Sequence, residues 1–227
     1  MKKGGKVKRI LVGAMAAAVL SVGISLFSDD AAPQKFSCDF TEKADTKSGF
    51  AQEWSGIEEG GWITSADGTT RSGAGLDKLL IYKASLPAKF TVSAGIKVET
   101  PDGAHFAGVA FNIQDAKNFY VFRINSGEKN SNGMYQVLKS VDGKWRELKT
   151  MQFDAIKGGI CYTLTVQANG SGLFSVSIKN GDEIVMKPED VKDATGSVYS
   201  GGNAGIYMAA AECKIMNFRL DAAAAPK

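Results

Sequence analysis

The chain has 227 residues, of which 44% are hydrophobic, so it can bury the core of one domain, and two domains are not expected. Its formal charge is +3, but five of its 27 basic residues precede position 10, which leaves 22 basic against 24 acidic residues, a net charge of −2. This balance argues against a nucleic-acid partner, since no basic cluster with interleaved aromatic residues follows.

The N-terminal segment, residues 1–27, has a basic start followed by an uncharged apolar run over residues 10–27. This layout is typical of an export signal. The run is also just long enough to cross a bilayer, and no cleavage site is unambiguous, so a cleaved signal peptide and a retained membrane anchor both stay open. Either alternative predicts an exported protein, located in the periplasm, the cell envelope or the medium. Residues 28–35 are predicted to be a linker.

Short alternating runs separated by Asn-Gly and Asp-Gly turns predict about fourteen strands after the linker. Residues 41–60 are predicted to be irregular, residues 188–194 to form one helical turn, and residues 222–227 to be a disordered tail. The absence of a long amphipathic helix predicts an all-β domain over residues 36–221, a two-sheet antiparallel sandwich or barrel. The predicted strands cover residues 36–40, 61–64, 78–85, 88–99, 134–141, 144–150, 161–168, 173–179, 183–188, 205–210 and 213–220, with two more inside 108–125.

Residues 108–125, GVAFNIQDAKNFYVFRIN, predict the central hairpin of this sandwich. Each of its two runs places apolar side chains on one face at period two, Val109 and Phe111 in the first and Tyr120 and Phe122 in the second. A mid-strand arginine must pair or face solvent, because a buried unpaired guanidinium is costly. The opposite face carries Asn112, Gln114, Arg123 and Asn125.

Three cysteines permit one disulfide in an exported chain. Cys38 lies in the first predicted strand and Cys213 in the last, and terminal strands are often neighbours in jelly rolls, which favours this pair. A bond between Cys161 and Cys213, or three free buried thiols, stays open.

The order of several segments resembles a known superfamily. These are Asp39-Phe40, GGW at 60–62, LLIYK at 79–83, the hairpin at 108–124, VDGKW at 141–145, YTLTVQANG at 162–170 and GNAGIYMAAAECKIMNFRL at 202–220. Together they resemble the laminin-G-like jelly rolls of the concanavalin A-like lectin/glucanase superfamily, in particular a bacterial branch related to 3-keto-disaccharide hydrolase and carbohydrate-binding domains. The resemblance implies a jelly-roll sandwich with one curved sheet whose concave face takes glycans.

Catalysis of glycan cleavage is not predicted. A glycosidase needs two carboxylates across the scissile bond, and the chain lacks the E-x-D-x-x-E run with which jelly-roll glucanases supply them. Its acidic residues lie mostly in predicted turns, and His105 is the single histidine. The keto-sugar hydrolase branch usually has arginine where this chain has Asn112, which argues against carrying over that activity.

A ligand site is predicted on the polar strand faces. Polar groups from neighbouring strands would form one patch, completed by aromatic platforms. An ordinary solvated sheet face is the alternative. No cofactor or metal site is predicted, although the resemblance would suit a structural calcium ion near Asp39, Asp115 or Asp182. The predicted ligand-binding residues are Lys97, Glu99, Asn112, Arg123, Asn125, Tyr135 and Trp145.

These observations predict an exported, non-catalytic domain that binds a poly- or oligosaccharide. One alternative is a glycan-processing hydrolase or lyase of the same fold. A second is a structural or interaction domain of the cell envelope that has no glycan ligand and is held at the membrane by residues 1–27. The oligomeric state is left open.

Overall fold

The computed structural model describes residues 34–40, 53–56, 62–65, 68–71, 78–98, 106–126, 133–209 and 213–222, without the side chains of 34, 62–65 and 68–71. Fifteen strands lie within these ranges. They are β1 (Gln34–Asp39), β2 (Trp54–Ser55), β3 (Trp62–Ser65), β4 (Gly68–Arg71), β5 (Lys78–Leu86), β6 (Lys89–Val98), β7 (Phe106–Asp115), β8 (Asn118–Asn125), β9 (Met134–Val141), β10 (Lys144–Gln152), β11 (Cys161–Asn169), β12 (Leu173–Asn180), β13 (Glu183–Lys192), β14 (Gly202–Ala209) and β15 (Cys213–Ala222).

The strands form two antiparallel sheets, which confirms the predicted all-β sandwich. Sheet A has the order β13-β12-β11-β6-β15-β4-β3, and β1 pairs with β15 beside β4. Sheet B has the order β10-β9-β8-β7-β14-β5-β2. In both sheets, strands distant in sequence lie side by side, such as β6 with β15 and β7 with β14.

The core lies between the sheets and follows from alternation along each strand. In β6, Phe90, Val92, Ala94, Ile96 and Val98 all point inward and are buried, as their period of two predicts. Sheet B contributes the facing layer from β7, β8, β9 and β14, including Phe111 and Phe122. Each side chain of this size contributes about 1.5–3 kcal/mol when it leaves water, so this layer is the main stabilising element.

Two tight turns set the register of the β7–β8–β9–β10 meander. Between β7 and β8, the Asp115 carboxylate accepts hydrogen bonds from the Lys117 amide at 2.7 Å and from the Asn118 side chain. Between β9 and β10, Asp142 and Gly143 have φ angles of 51° and 77°. Positive φ at both central residues defines a type I′ turn, whose twist matches that of the flanking strands.

The predicted disulfide between Cys38 and Cys213 is wrong. Cys38 pairs with Phe218 in the β1–β15 register, and Cys213 lies five residues further along β15, about 17 Å away at strand rise. A disulfide requires Cα atoms within about 7 Å. Cys161 is no alternative partner, because it lies on the outer side of sheet A whereas Cys213 is buried in the core.

A β-bulge between Ile215 and Asn217 interrupts the alternation of β15. The extra residue reverses the parity of β15, so that Cys213 and Ile215 point inward together with Phe218 and Leu220. A bulge leaves no sequence signal as clear as alternation itself.

Other local predictions are also corrected. Residues 188–192 continue β13 instead of forming a helical turn, and Pro188 is tolerated there because β13 is the edge strand of sheet A. The short strand β2 lies inside the region predicted to be irregular, and β4 pairs with β3 beyond a turn.

Residues 1–33, which include the predicted export segment, lie outside the described residues, as do Glu99 and His105. Within the ranges that are described, no helix is long and apolar enough to cross a membrane.

Candidate functional site

The face of sheet B that points away from sheet A, here called the outer face of sheet B, is largely apolar. A second hydrophobic cluster covers it, separate from the core between the sheets. Partly exposed rings at its margin include Phe106 and Trp145. Its buried members are Ala110, Ile113, Phe119, Val121, Leu138 and Tyr207.

Arg123 lies in the middle of this apolar face and is only partly exposed. Its guanidinium carbon is 4.0 Å from the centre of the Phe106 ring and 5.4 Å from the rings of both Trp145 and Tyr207. At these distances the negative faces of the rings stabilise the cation. The aromatic surround therefore offsets part of the cost of placing a charge on an apolar surface.

Two hydrogen bonds fix the orientation of the Arg123 guanidinium. Its Nε donates to Gln136 Oε1 at 2.9 Å, and one terminal nitrogen donates to the Tyr207 hydroxyl at 2.7 Å. A guanidinium has five N–H donors, so three remain without a partner within the described ranges. These donors belong to a group already ordered by its neighbours, which lowers the entropy cost of binding an acceptor.

The Trp145 ring lies beside Arg123 and is held in place by two other aromatic rings. Its ring meets those of Phe119 and Tyr207 edge-on, with centroid distances of 5.5 and 5.8 Å and interplanar angles of 87° and 89°. Phe119 and Tyr207 are buried, whereas Trp145 keeps part of its surface in solvent. We refer to Arg123, Phe106, Trp145, Tyr207 and Gln136 as the Arg123 site.

Three of the predicted ligand-binding residues therefore lie on one face. Asn125 follows Arg123 by two positions on β8 and points to the same side, and Trp145 reaches it from β10. Asn125 is 5% exposed, so it lies beneath the surface of the site rather than on it. The predicted roles of these residues in binding stay predictions.

The predicted union of all these residues in one patch is wrong. Lys97 belongs to β6 in sheet A, where it pairs with Cys161 and Lys214, so it lies on the opposite side of the sandwich. Tyr135 points between the sheets and donates its hydroxyl hydrogen to Glu189 of β13. Glu99 lies outside the described residues.

Asn112 is 1% exposed and does not face solvent. It lies in a bulge of β7 with a φ angle of 47°, and its amide donates to the Tyr199 carbonyl at 2.9 Å. Its Oδ1 is buried without a hydrogen-bond partner within the described ranges. The extra residue of the bulge also switches the faces to which the following side chains of β7 point. Ile113 therefore joins the outer cluster instead of the core face that alternation predicts.

The sequence patterns did not indicate Phe106 or Gln136. Phe106 precedes the alternating run of β7, and Gln136 shares β9 with two further polar residues, Lys139 and Ser140, so neither carried a distinctive signal. The pairing of Gln136 with Arg123 across β8 and β9 became visible only with the strand register.

A second polar cluster, here called the Asp193 network, was also missed. Lys139 and Asp193 are 2% and 0% exposed and form an ion pair of 2.9 Å. The Asp193 carboxylate also accepts from the Tyr120 hydroxyl at 2.6 Å and from Thr195 at 2.6 Å. The ion pair at its centre is buried, and the network ties the connection between β13 and β14 to sheet B, so we assign it a structural role.

Hydrogen bonding shifts the pKa of Asp193 strongly. Burial, the largest single effect, raises the pKa, but hydrogen bonds from Thr195, Tyr120 and Lys139 together outweigh it and lower the pKa to about 2. Burial and the neighbouring carboxylate raise the pKa of Tyr120. The pair therefore holds a carboxylate and a neutral phenol throughout the physiological range.

Glu189 joins the two sheets at their edge. Its carboxylate contacts Lys149 at 2.8 Å and accepts a hydrogen bond from Tyr135. Lys149 first and Tyr135 second lower the pKa of Glu189. Within the described ranges, no group of three or more metal-binding side chains is present.

Comparison with known proteins identifies the fold. No protein-family model and no curated protein matches the chain. The carbohydrate-binding module CBM66 from Bacillus subtilis is 20% identical over 75% of this chain and 96% of its own, with a TM-score of 0.61. The CBM2 module of the evolved Dit from Lactobacillus casei BL23 phage J-1 is 9% identical over 87% and 100%, with a TM-score of 0.59.

A legume lectin-like domain from Entamoeba histolytica is 13% identical over 78% of this chain and 93% of its own, with a TM-score of 0.54. At these identities the likeness concerns the fold. The chain has the concanavalin A-like jelly-roll fold that the resemblance predicted.

Proposed function

We propose that this protein binds carbohydrate at the Arg123 site on the outer face of sheet B. One observation carries the proposal. The partly exposed Arg123 guanidinium lies among three aromatic rings, is oriented by two hydrogen bonds, and keeps N–H donors available for a ligand. Sugar rings present apolar C–H faces that pack on aromatic rings, and their hydroxyl oxygens accept hydrogen bonds from fixed donors. The site offers both kinds of contact side by side.

Trp145 is the ring that we expect a sugar to contact first, because Phe119 and Tyr207 are buried behind it. Arg123 would then donate to the hydroxyl groups of the same sugar unit. The fold supports this assignment, since the similar structures include a carbohydrate-binding module and a lectin-like domain. The ligand class that we infer is a poly- or oligosaccharide.

We further propose that binding is not accompanied by catalysis. A general acid for glycoside cleavage needs a raised pKa. The described carboxyl groups with shifted pKa values, Asp115, Glu189 and Asp193, all shift downward. Each is held ionised by its own hydrogen bonds, in a turn, at an edge or in a closed network.

The proposal is tested by screening the protein on a glycan array and measuring the affinity of each hit by calorimetry. Arg123→Ala and Trp145→Ala should each weaken binding by about tenfold or more, the loss of a charge-assisted hydrogen bond or a stacking contact. Arg123→Lys keeps the charge but loses the planar fork, and should also weaken binding. Arg146→Ala, an exposed arginine on β10, is the matched control and should change affinity little.

Two outcomes would contradict the proposal. Undiminished binding by a folded Arg123→Ala variant would place the ligand elsewhere on the molecule. Turnover of a bound polysaccharide or keto-disaccharide by the parent protein would refute the non-catalytic assignment.

We also propose export through residues 1–27, on the strength of their basic start and uncharged apolar run. Fractionation of the native host with N-terminal sequencing separates the alternatives. A mature chain that begins after the apolar run indicates a cleaved signal, and an intact chain in the membrane fraction indicates an anchor. Recovery of the intact chain with soluble cytoplasmic proteins would contradict export.

A further inference from the structure

The outer face of sheet A, on the opposite side of the sandwich from the Arg123 site, carries a groove of about 510 Å³. A smaller groove of about 220 Å³ continues from it, since both are lined by Thr91 and Asp221. Together they cross four strands in the order β1, β15, β6 and β11, a span of about 14 Å at the usual strand spacing. The polar residues that line the grooves are Lys35, Ser37, Lys89, Thr91, Ser93, Gln167, Arg219 and Asp221.

Arg219 occupies a distinctive position in this groove. In the strand register it lies between Ser37 of β1 and Ser93 of β6, so a hydroxyl group flanks it on each neighbouring strand. Its side chain is exposed, and within the described ranges no residue accepts a hydrogen bond from its guanidinium. A planar guanidinium between two hydroxyl donors suits a carboxylate or sulfate oxygen pair.

Beside Arg219 and its two serines, a second set of three residues in register across β1, β15 and β6 adds polar groups to the groove. Asp221 lies between Lys35 and Thr91 in the register, and its carboxylate already pairs with Lys35 at 3.5 Å. Lys89 lines the smaller groove. With Arg219, Lys35 and Lys89 against a single paired carboxylate, the groove has an excess of positive charge.

The lining also favours a polyhydroxylated chain over a lipid surface. Membrane contact needs exposed apolar side chains, but Phe90 and Leu220 in the groove are 4% and 3% exposed. Thr91, Ser93 and Gln167 instead offer donors and acceptors at strand spacing. A neutral polysaccharide would leave the Arg219 guanidinium without its complementary partner.

We propose that this groove is a second binding site, which takes an acidic polysaccharide with one carboxylate or sulfate group on Arg219. The two sites lie on opposite outer faces of the sandwich, and the inference does not depend on carbohydrate binding at Arg123. A protein with both sites would be able to join two chains of a polysaccharide matrix.

The test uses the full chain in affinity electrophoresis and calorimetry against polygalacturonate, its fully methyl-esterified form and dextran sulfate at low salt. We expect binding to at least one acidic polymer. If polygalacturonate is bound, its methyl ester should bind at least about tenfold more weakly, as expected for the loss of a charge-assisted contact. The acidic polymer that binds more tightly identifies carboxylate or sulfate as the preferred group.

Arg219→Gln should reduce this binding by about tenfold, and it should leave folding intact because the side chain is exposed. Arg146→Gln removes the same charge from an exposed position on sheet B and should change the affinity little. Failure of both acidic polymers to bind, or an equal loss in the two variants, would overturn the proposal. Unfolding temperatures of both variants verify that they are folded.

Discussion

Lys139 and Asp193 form a buried ion pair, and most of its polar partners lie in the connection between β13 and β14. Besides Asp193, the Lys139 ammonium donates to Thr195 at 3.2 Å and to the Ser197 carbonyl, and it lies 4.6 Å from the centre of the Tyr199 ring. These contacts replace the water that both charges lose on burial. The pair therefore fixes the position of the β13–β14 connection more than it adds net stability.

Removing one partner should expose that arrangement. Lys139→Met leaves the Asp193 charge buried without its cation, and we expect the free energy of unfolding to fall by about 3–5 kcal/mol. Lys149→Met, which removes the half-exposed ion pair with Glu189, should cost about 1 kcal/mol or less. Urea denaturation measures both values. Similar losses of unfolding free energy in the two variants would show that breaking the buried Lys139 pair costs no more than breaking a partly exposed one.

Asp193 also predicts an acid-dependent loss of stability. Its pKa is about 2 in the folded protein and 3.8 without the fold. Because the folded value is the lower one, its contribution is present above pH 3.8 and is lost as the pH falls toward 2. The shift corresponds to about 2 kcal/mol. Unfolding free energies between pH 5 and pH 2, with an NMR titration of the Asp193 carboxyl carbon, check it. Titration near pH 4 in the folded protein would contradict it.

At the scale of single strands, β7 makes room for the Arg123 site through Gly108. Gly108 pairs with Arg123 across the β7–β8 ladder. A Cβ atom at Gly108 would lie 2.0 Å from the Phe122 carbonyl oxygen and 2.5 Å from the Arg123 Cα. No side chain fits into this contact, so a glycine is required beneath the arginine.

Gly108→Ala should therefore disturb both the sheet and the site. We expect a loss of about 3 kcal/mol in unfolding free energy, because the backbones of β7 and β8 must separate. Gly181→Ala is the control: its φ of 56° disfavours alanine, but its Cβ position is open, so about 1 kcal/mol is expected. Chemical denaturation compares the two. An effect at Gly108 no larger than that at Gly181 would mean that the strands adjust without cost.

Two bulges decide the side-chain pattern of their strands. The bulge in β7 turns Asn112 into the protein and Ile113 outward, and the bulge in β15 turns Cys213 inward. Both occur within runs whose alternation predicted the strands themselves correctly. Because one inserted residue reverses every later position, a correct strand prediction does not ensure a correct face.

For the whole molecule, the arrangement of the sheets keeps the three cysteines apart. Cys38 is buried on β1 opposite Phe218, Cys213 is buried at the start of β15, and Cys161 is partly exposed beside Lys97. Burial raises the pKa of the Cys161 thiol, and Lys97 offsets part of that increase.

We expect all three thiols to be alkylated after unfolding without reductant. In the folded protein, Cys161 should react first, because the other two are 2% exposed or less. Mass spectrometry of the intact and digested protein measures both. The opposite result would be a disulfide, seen as two cysteines that are alkylated only after reduction. That result would contradict the strand register described above.

Much of the fold could be predicted from the sequence, because alternation and turn residues are local signals. Strands β6, β9 and β12, and the turn at Asp142-Gly143, lie close to their predicted positions. The site was predicted only in part. Arg123 was identified because a mid-strand arginine is costly to bury, whereas Phe106 carried no comparable signal.

Local sequence patterns suffice to predict an all-β sandwich, since period-two alternation and Asn-Gly or Asp-Gly turns are each confined to a few residues. Which strands are neighbours becomes clear only from the three-dimensional structure. It placed β6 in sheet A and β8 in sheet B, so Lys97 and Arg123 lie on opposite faces. The physical reason is that sheet pairing depends on contacts between residues far apart in the chain, whose energies local patterns do not contain.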